Sequence, residues 1–316
     1  MNSIALIAPD FLIILLGTLL AGKLGFPREF WKYAEKLVFY VLFPPLLFTS
    51  ISTSDISLDT ATQFLAVAIG AMLLAVLSAW AVRWVVKSDD WTHASVFHCG
   101  FRFNTYIGFA VCLRLFGDDG FALLALLIAF WVPISNTIAV GVLAAAVARK
   151  ENRPGKSVMR STLSAVVKNP LIIATVLGLI ANVSGLTLSG VPQGFLKGLG
   201  NASLAMGLLC IGAGLHVEDF KKHFNLIAAC TAQRLVVVPL IAWGVASLAG
   251  LPPLESGVLI LFAALPTAQS CYVMTANMRG NAPLVADVTT AQTLAAMATL
   301  TVWIAFVLTG LAAAVV

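Results

Sequence analysis

The chain has 316 residues, of which 60% are hydrophobic and only 10% are charged, with a formal net charge of +5 and a mean hydropathy of +0.97. This composition is typical of a polytopic membrane protein and excludes an ordinary soluble globular domain. The basic residues are spread over short connections between apolar stretches, so the positive charge indicates membrane topology, and no nucleic-acid partner is predicted.

Ten apolar stretches are long enough to cross a lipid bilayer as helices, which predicts an all-α integral membrane protein. The first is interpreted as a retained span, because it lacks the basic start and small-residue cleavage site of a secretory signal. All five cysteines lie inside apolar spans, so no disulfide is expected. The predicted spans cover residues 4–25, 31–51, 60–86, 92–116, 120–148, 168–185, 194–215, 225–249, 256–278 and 284–314.

Most of the 19 lysines and arginines fall in connections that follow odd-numbered spans. The positive-inside rule therefore places the odd connections in the cytoplasm and both termini on the opposite side, as expected for a bacterial inner-membrane protein. The basic residues outside this pattern are Arg102, Arg114, Lys197 and Arg234. Arg102 and Arg234 lie well inside apolar spans, where a charge is costly and needs a pairing or functional reason.

The two halves of the chain resemble each other at an offset of about 160 residues. Pro9 and Gly17 of span 1 match Pro170 and Gly178 of span 6, and Asn104 of span 4 matches Pro266 of span 9. Because five spans is an odd number, a second half of five spans must be inverted in the membrane. We therefore predict inverted five-helix repeats over 1–148 and 168–316, joined by a cytoplasmic connection over 149–167.

Span 2 contains Phe43-Pro44-Pro45, which is predicted to kink or unwind its helix. Gly194 and Gly198 in span 7 are predicted to permit close helix approach.

Span 4 carries a polar group, Arg102-Phe103-Asn104-Thr105, near its midpoint, with Gly100 and Gly108 on either side. An arginine at the membrane midplane costs about 2.5 to 3.5 kcal/mol on insertion scales, so a structural accident is disfavoured. We predict that this helix breaks in mid-membrane and exposes backbone groups to a substrate. The alternative is a continuous helix whose arginine snorkels or pairs with a neighbouring helix.

Span 9 places Pro266 close to its centre, followed by Thr267, Gln269 and Ser270. Proline removes a helix hydrogen bond and clashes with the preceding turn, so a second break is predicted, with a simple kink as the alternative. The two broken helices are predicted to cross at the midplane, where their N-termini favour an anion. The predicted substrate-binding residues are Arg102, Asn104, Thr105, Gly108, Pro266, Thr267, Gln269, Ser270 and Arg234.

Asp287 lies about one turn into span 10 and is a candidate coupling group for a proton or cation, or else a capping acid. It is also a candidate ion-pair partner for Arg234. His98 and Cys99 have no further ligand at suitable sequence spacing, so no metal site is predicted. No cofactor is expected, and the sequence carries no hydrolase, zinc-protease or nucleotide-binding motif, so no enzyme is predicted.

These features resemble the auxin efflux carrier family, which includes plant exporters and bacterial carriers associated with malonate and malate. The resemblance covers the whole chain and rests on the Phe-Pro-rich span 2, on Asn104-Thr105 followed by Gly108, and on Leu265-Pro266. Phe103 and Ala110 stand where the plant members have prolines, and Arg102 is no part of the plant pattern. The resemblance implies a secondary carrier for a small organic anion, a mono- or dicarboxylate, rather than for auxin.

Several alternatives stay open at this point. A bile-acid-type symporter or a cation/proton antiporter would share the same architecture, although both normally hold acidic residues at the crossover. A membrane-embedded enzyme or sensor is the alternative from a different class. The coupling ion, proton or sodium, and the assembly state, with a homodimer as one option, are left undecided.

The topology can be tested by labelling single introduced cysteines in intact cells with a membrane-impermeant thiol reagent. We expect Asp118→Cys to react from outside and Lys156→Cys to react only after the membrane is opened, because the two lie in connections of opposite charge. The native chain, with its cysteines inside apolar spans, supplies the unlabelled control. Labelling of Lys156→Cys in intact cells would reverse the assigned orientation.

Overall fold

A computed structural model describes residues 3–54, 58–151, 169–186, 188–216 and 220–314. These residues form helices and connections, and no strand occurs among them. The first helices are α1 Ser3–Gly22, α2 Arg28–Leu37, α3 Phe43–Ser52, α4 Leu58–Val85, α5 Asp90–Phe97 and α6 Thr105–Glu151. They are followed by α7 Pro170–Val183, α8 Gly190–Ala213, α9 Phe224–Ala232, α10 Val238–Leu248, α11 Pro253–Ala264, α12 Ser270–Asn277 and α13 Ala282–Ala314.

Seven helical stretches in the described part of the chain are long and apolar enough to cross a membrane, and α7 and α11 are shorter apolar helices. The prediction of an all-helical integral membrane protein is therefore confirmed. The stretch from Asp90 to Glu151 contains two predicted spans, and Gly117 separates them with a left-handed backbone, φ 63°. The arrangement of ten spans in inverted halves stays a prediction, and most of the connection over 149–167 lies outside the described residues.

The helices group into two compact units. The first unit draws on Met1–Leu65, Tyr106–Phe130 and Ser164–Gly214, and the second draws on Ala66–Thr105, Trp131–Leu163 and Leu215–Val316. Each unit takes segments from both predicted halves of the sequence. The second unit contains both polar interruptions that the sequence singled out.

Within the first unit, α1 and α8 pack with their backbones in direct contact. A β-carbon at Gly17 would overlap the carbonyl oxygen of Leu209, and one at Gly212 would overlap that of Ile14. The Thr18 hydroxyl donates to the Gly212 carbonyl at 2.9 Å, which ties the same two helices together. Small residues thus permit close helix approach, as membrane helices require, but at different positions from those predicted.

Gly194 and Gly198 were expected to make that approach, and this expectation is wrong. A β-carbon at either position would meet nothing within 4 Å in the described structure. The sequence shows that α8 contains small residues, but it does not show which face of the helix makes the contact.

Two single π-helical turns precede prolines inside apolar spans. Residues Val38–Leu42 lead into the Pro44-Pro45 pair of α3, and residues Gln233–Val237 lead into Pro239 of α10. A wider turn accommodates the ring of a proline, which cannot donate to the turn before it. The predicted disturbance at Phe43-Pro44-Pro45 is therefore a π turn that keeps the helix continuous.

The contact between α1 and α8 can be tested with two matched glycine substitutions in α8. We expect Gly212→Ala to lower the free energy of unfolding by about 1 to 3 kcal/mol, because its methyl group overlaps the backbone of α1. Gly198→Ala on the same helix enters open space, so it should be neutral or slightly stabilising. Thermal unfolding of the purified variants measures both effects, and equal melting temperatures would contradict the packing described.

Candidate functional site

The first interruption follows α5, where a short 3₁₀ turn over His98–Gly100 leads to non-helical residues 101–104 before α6 begins at Thr105. Two side chains satisfy the carbonyls that this break releases. The Gln233 amide donates to the Gly100 carbonyl at 3.3 Å, and the Trp131 indole N–H donates to the Phe101 carbonyl at 3.1 Å. Gly100 is required by this approach, since a β-carbon there would lie 2.5 Å from Oε1 of Gln233.

The second interruption lies between the end of α11 at Ala264 and the start of α12 at Ser270. Leu265 adopts an extended backbone, as a residue before proline prefers, so the helix ends there. The guanidinium of Arg234 donates to the Leu265 carbonyl at 2.8 Å and to the Phe262 carbonyl at 3.1 Å. The Thr267 N–H donates to Oε1 of Gln292 at 3.0 Å.

The two interruptions are bonded directly to each other. The backbone N–H of Asn104 donates to the carbonyl of Pro266 at 2.8 Å. The rings of Phe103 and Phe262 lie 4.4 Å apart between centroids, a second contact between the first break and α11. The sequence match of Asn104 with Pro266 thus corresponds to a physical contact between two helix breaks.

Arg102 lies at this junction and reaches toward the start of α12. Its guanidinium donates to Oγ of Ser270 at 3.1 Å and to Sδ of Met274 at 3.2 Å. Neither acceptor is charged, and no acidic side chain within the described ranges forms an ion pair with Arg102. Arg102 is partly exposed and Ser270 is exposed, so a small anion can approach both.

The structure brings most of the predicted binding residues together in the second unit. Pro266 and Thr267 form the second break, and their backbone groups are used in structural bonds. Asn104 is buried beside Pro266, and Thr105 begins α6. Gln269 precedes α12, and its Nε2 atom has no hydrogen-bond partner in the described part of the chain. Gly108 is buried in α6 and belongs to the first unit.

Arg234 has a different setting from Arg102, although the sequence grouped them as substrate ligands. Its side chain is fully buried, with 0% exposure, and two of its nitrogens donate to backbone carbonyls. This arrangement caps the carboxyl end of α11, where the last carbonyls of a helix have no intrahelical partner. Asp287 is also fully buried, in α13.

Gln233, Gln292 and Trp131 support the interruptions, a role that the sequence pattern did not indicate. Gln233 also donates to Oγ of Ser78 at 2.8 Å, and Gln292 donates to the Cys230 carbonyl at 3.2 Å. Each glutamine therefore links a break to a second helix. The available signal was a buried amide inside an apolar span, which is costly unless it has partners.

One cluster of potential metal ligands lies at the same junction. His98, Cys99 and Cys271 are buried, and one ligand atom from each lies within 4.8 Å of the others. The sequence spacing gave no third ligand, because Cys271 joins the other two only through the fold.

Comparisons with known proteins show that the chain is similar to membrane transport proteins. The model of a family described as "Membrane transport protein" matches residues 3–304. The chain is 24% identical over 282 residues to an uncharacterized transporter of Methanocaldococcus jannaschii, covering 85% of this chain and 89% of that protein. It is 24% identical over 276 residues to a Rhizobium meliloti protein named "Putative malonate transporter", covering 85% of this chain and 84% of that protein. An uncharacterized transporter of Methanothermobacter thermautotrophicus is 24% identical over 312 residues, covering 96% of this chain and 98% of that protein.

The capping role of Arg234 predicts a large loss of stability in Arg234→Met. The substitution keeps an apolar chain but leaves the Leu265 and Phe262 carbonyls without these donors, which should cost about 3 kcal/mol. Arg149→Met is the control, because that side chain is 76% exposed and its ion pair with Asp90 spans 3.7 Å, so its effect should stay below about 1 kcal/mol. Chemical or thermal unfolding of the purified variants measures the difference, and similar losses in both would refute the capping role.

Proposed function

The chain belongs to the membrane transport protein family, that of the auxin efflux carriers, and from this premise we propose that it is a secondary transporter of a small organic anion. The observation that carries the proposal is Arg102, a cation inside an apolar span whose described acceptors are a hydroxyl and a thioether. Such a guanidinium can still donate hydrogen bonds to a charged acceptor. Charge-assisted bonds are about twice as strong as neutral ones, so an anion is the acceptor that Arg102 favours.

The other groups around Arg102 suit the same ligand. The Ser270 hydroxyl and the Gln269 amide sit at the start of α12, and α6 starts at Thr105, directly after the first break. Helix N-termini carry a positive dipole end, worth up to about 2 kcal/mol to a partly buried anion. Transporters with discontinuous helices use such N-termini for anionic substrate groups.

The substrate that we propose is a mono- or dicarboxylate of the malonate or malate class. The planar guanidinium fork of Arg102 matches a carboxylate better than a halide or a neutral solute. The "Putative malonate transporter" of Rhizobium meliloti supports this choice as a first compound to test, at 24% identity.

The mechanism that we propose is alternating access in a protein of ten spans arranged as two inverted repeats, with crossing broken helices and both termini outside the cytoplasm. The buried carboxyl group of Asp287 is the candidate for coupling to a proton or sodium gradient. A bile-acid-type symporter or a cation antiporter is less well supported, because residues 98–105 and 265–270 contain Arg102 and no acidic residue. The family and its relatives are transporters, so no enzymatic activity is proposed.

The proposal predicts uptake of labelled malonate or malate into proteoliposomes, with and without imposed proton and sodium gradients. Arg102→Ala should weaken substrate binding about tenfold or more, measured as substrate-induced thermal stabilisation of folded protein. Arg102→Lys should fall between the native protein and Arg102→Ala, because it keeps the charge but loses the bidentate fork.

Arg149→Ala is the matched control, since Arg149 is exposed and far along α6 from the break. It should bind substrate like the native protein. Unchanged affinity in folded Arg102→Ala would remove Arg102 from the site, and absence of flux across a panel of organic acids would refute the anion transporter.

A further inference from the structure

The thiol and imidazole groups beside the two helix breaks form a cluster that the anion site does not use. Cys99 and His98 belong to the 3₁₀ turn before the first break, and Cys271 follows the second break as the second residue of α12. All three side chains have 0% exposure, and their ligand atoms lie within 4.8 Å of one another. We propose that they bind one thiophilic metal ion of the zinc class, which bridges the two interrupted helices.

The hydrogen bonds around His98 involve one ring nitrogen and leave the other available to a metal. Thr275 has one hydroxyl proton, and it donates this proton to the Cys271 carbonyl at 2.9 Å. With that bond made, the Thr275 oxygen accepts the bond of 3.0 Å from Nε2 of His98, and this is the tautomer that a metal on Nδ1 requires. In this tautomer Nδ1 carries no proton, so its lone pair can bind a metal.

Nδ1 of His98 is buried, and no hydrogen-bond donor from outside the cluster reaches it among residues with a described position. An unpaired acceptor in an apolar interior is costly, and a metal ion is one partner that would satisfy it. The arrangement matches a common pattern in metal sites, where a ligating histidine donates its other N–H to an oxygen that holds the ring in place. Thr275 is the positioning residue in this case.

The donor set selects the metal. Two sulfurs and one imidazole nitrogen suit Zn²⁺ and its softer analogue Cd²⁺, and they disfavour Mg²⁺ and Ca²⁺, which prefer oxygen. In a tetrahedral zinc site, ligand atoms lie roughly 3.5 to 3.8 Å apart, so the cluster needs an inward shift of about 1 Å or less. Three protein ligands leave one position open for water or another small ligand.

The charge balance also fits the membrane interior. Binding of M²⁺ to Cys99 and Cys271 releases two protons and forms two metal–thiolate bonds, so the loaded cluster has no net charge. A neutral cluster avoids the cost of an added charge near Arg102.

Cadmium titration of the purified full-length protein, in detergent with a non-thiol reductant, tests the site without any organic anion. We expect one Cd²⁺ per chain, a cadmium–thiolate charge-transfer band in the ultraviolet, and a higher melting temperature. Zn²⁺ should displace Cd²⁺, whereas Mg²⁺ and Ca²⁺ should not. Since no transport is measured, failure of the metal site and failure of the anion transporter are distinguishable.

Variants assign the ligands. Cys99→Ser and Cys271→Ser should each abolish stoichiometric binding, His98→Gln should weaken it at least tenfold, and Thr275→Val should weaken it about tenfold. Cys112→Ser is the control, because that buried cysteine lies in the first unit, outside the cluster.

Each variant is compared with the native protein by its melting temperature without metal, which reports folding separately from binding. Retention of the band in folded Cys99→Ser and Cys271→Ser, its loss in Cys112→Ser, or the absence of binding by the folded native protein would overturn the metal site.

Discussion

The second unit depends on how it satisfies backbone groups that two broken helices release in an apolar interior. Water is scarce there, and each unpaired N–H or C=O costs several kcal/mol. The bond from the Asn104 N–H to the Pro266 carbonyl pairs one group from each break, so each interruption relieves part of the cost of the other. A residue at either break can therefore be understood only together with the opposite break, and this requirement keeps the two polar segments side by side.

One neighbouring helical segment supplies side-chain donors to both breaks, in addition to the bonds made by Trp131 and Gln292. Gln233 and Arg234 are consecutive, yet Gln233 reaches the Gly100 carbonyl of the first break while Arg234 reaches the Leu265 carbonyl of the second. Both lie in the π turn that precedes Pro239. One irregular turn thus supplies donors to both breaks. π turns often occur at functional positions, because an extra residue in the turn changes the direction of the side chains beside it.

The sequence predicted the breaks but not what holds them. A proline and an intramembrane Arg-Asn pair have local chemical consequences, so their positions along the chain were enough to locate both interruptions. The partners of Arg234 and the joining of Cys271 to His98 depend on side-chain directions across helices, which hydropathy does not encode. The predicted position of the glycine contact on α8 was wrong for the same reason. Composition shows that small residues are present, but it does not show which face of the helix packs.

The two intramembrane arginines show how the same charge can have different purposes. Arg234 is fully buried and donates to two carbonyls that need donors, so its bonds belong to the fold. Arg102 is partly exposed and donates to a hydroxyl and a thioether, which are weak compensation for moving a guanidinium out of water. A carboxylate would recover more of that solvation energy than either neutral acceptor. Arg102 can be reached from outside the protein, whereas Arg234 is sealed inside the fold, and its Nη1 has no hydrogen-bond partner among the described residues. This difference in access is the physical reason to place the anion at the first arginine and not at the second.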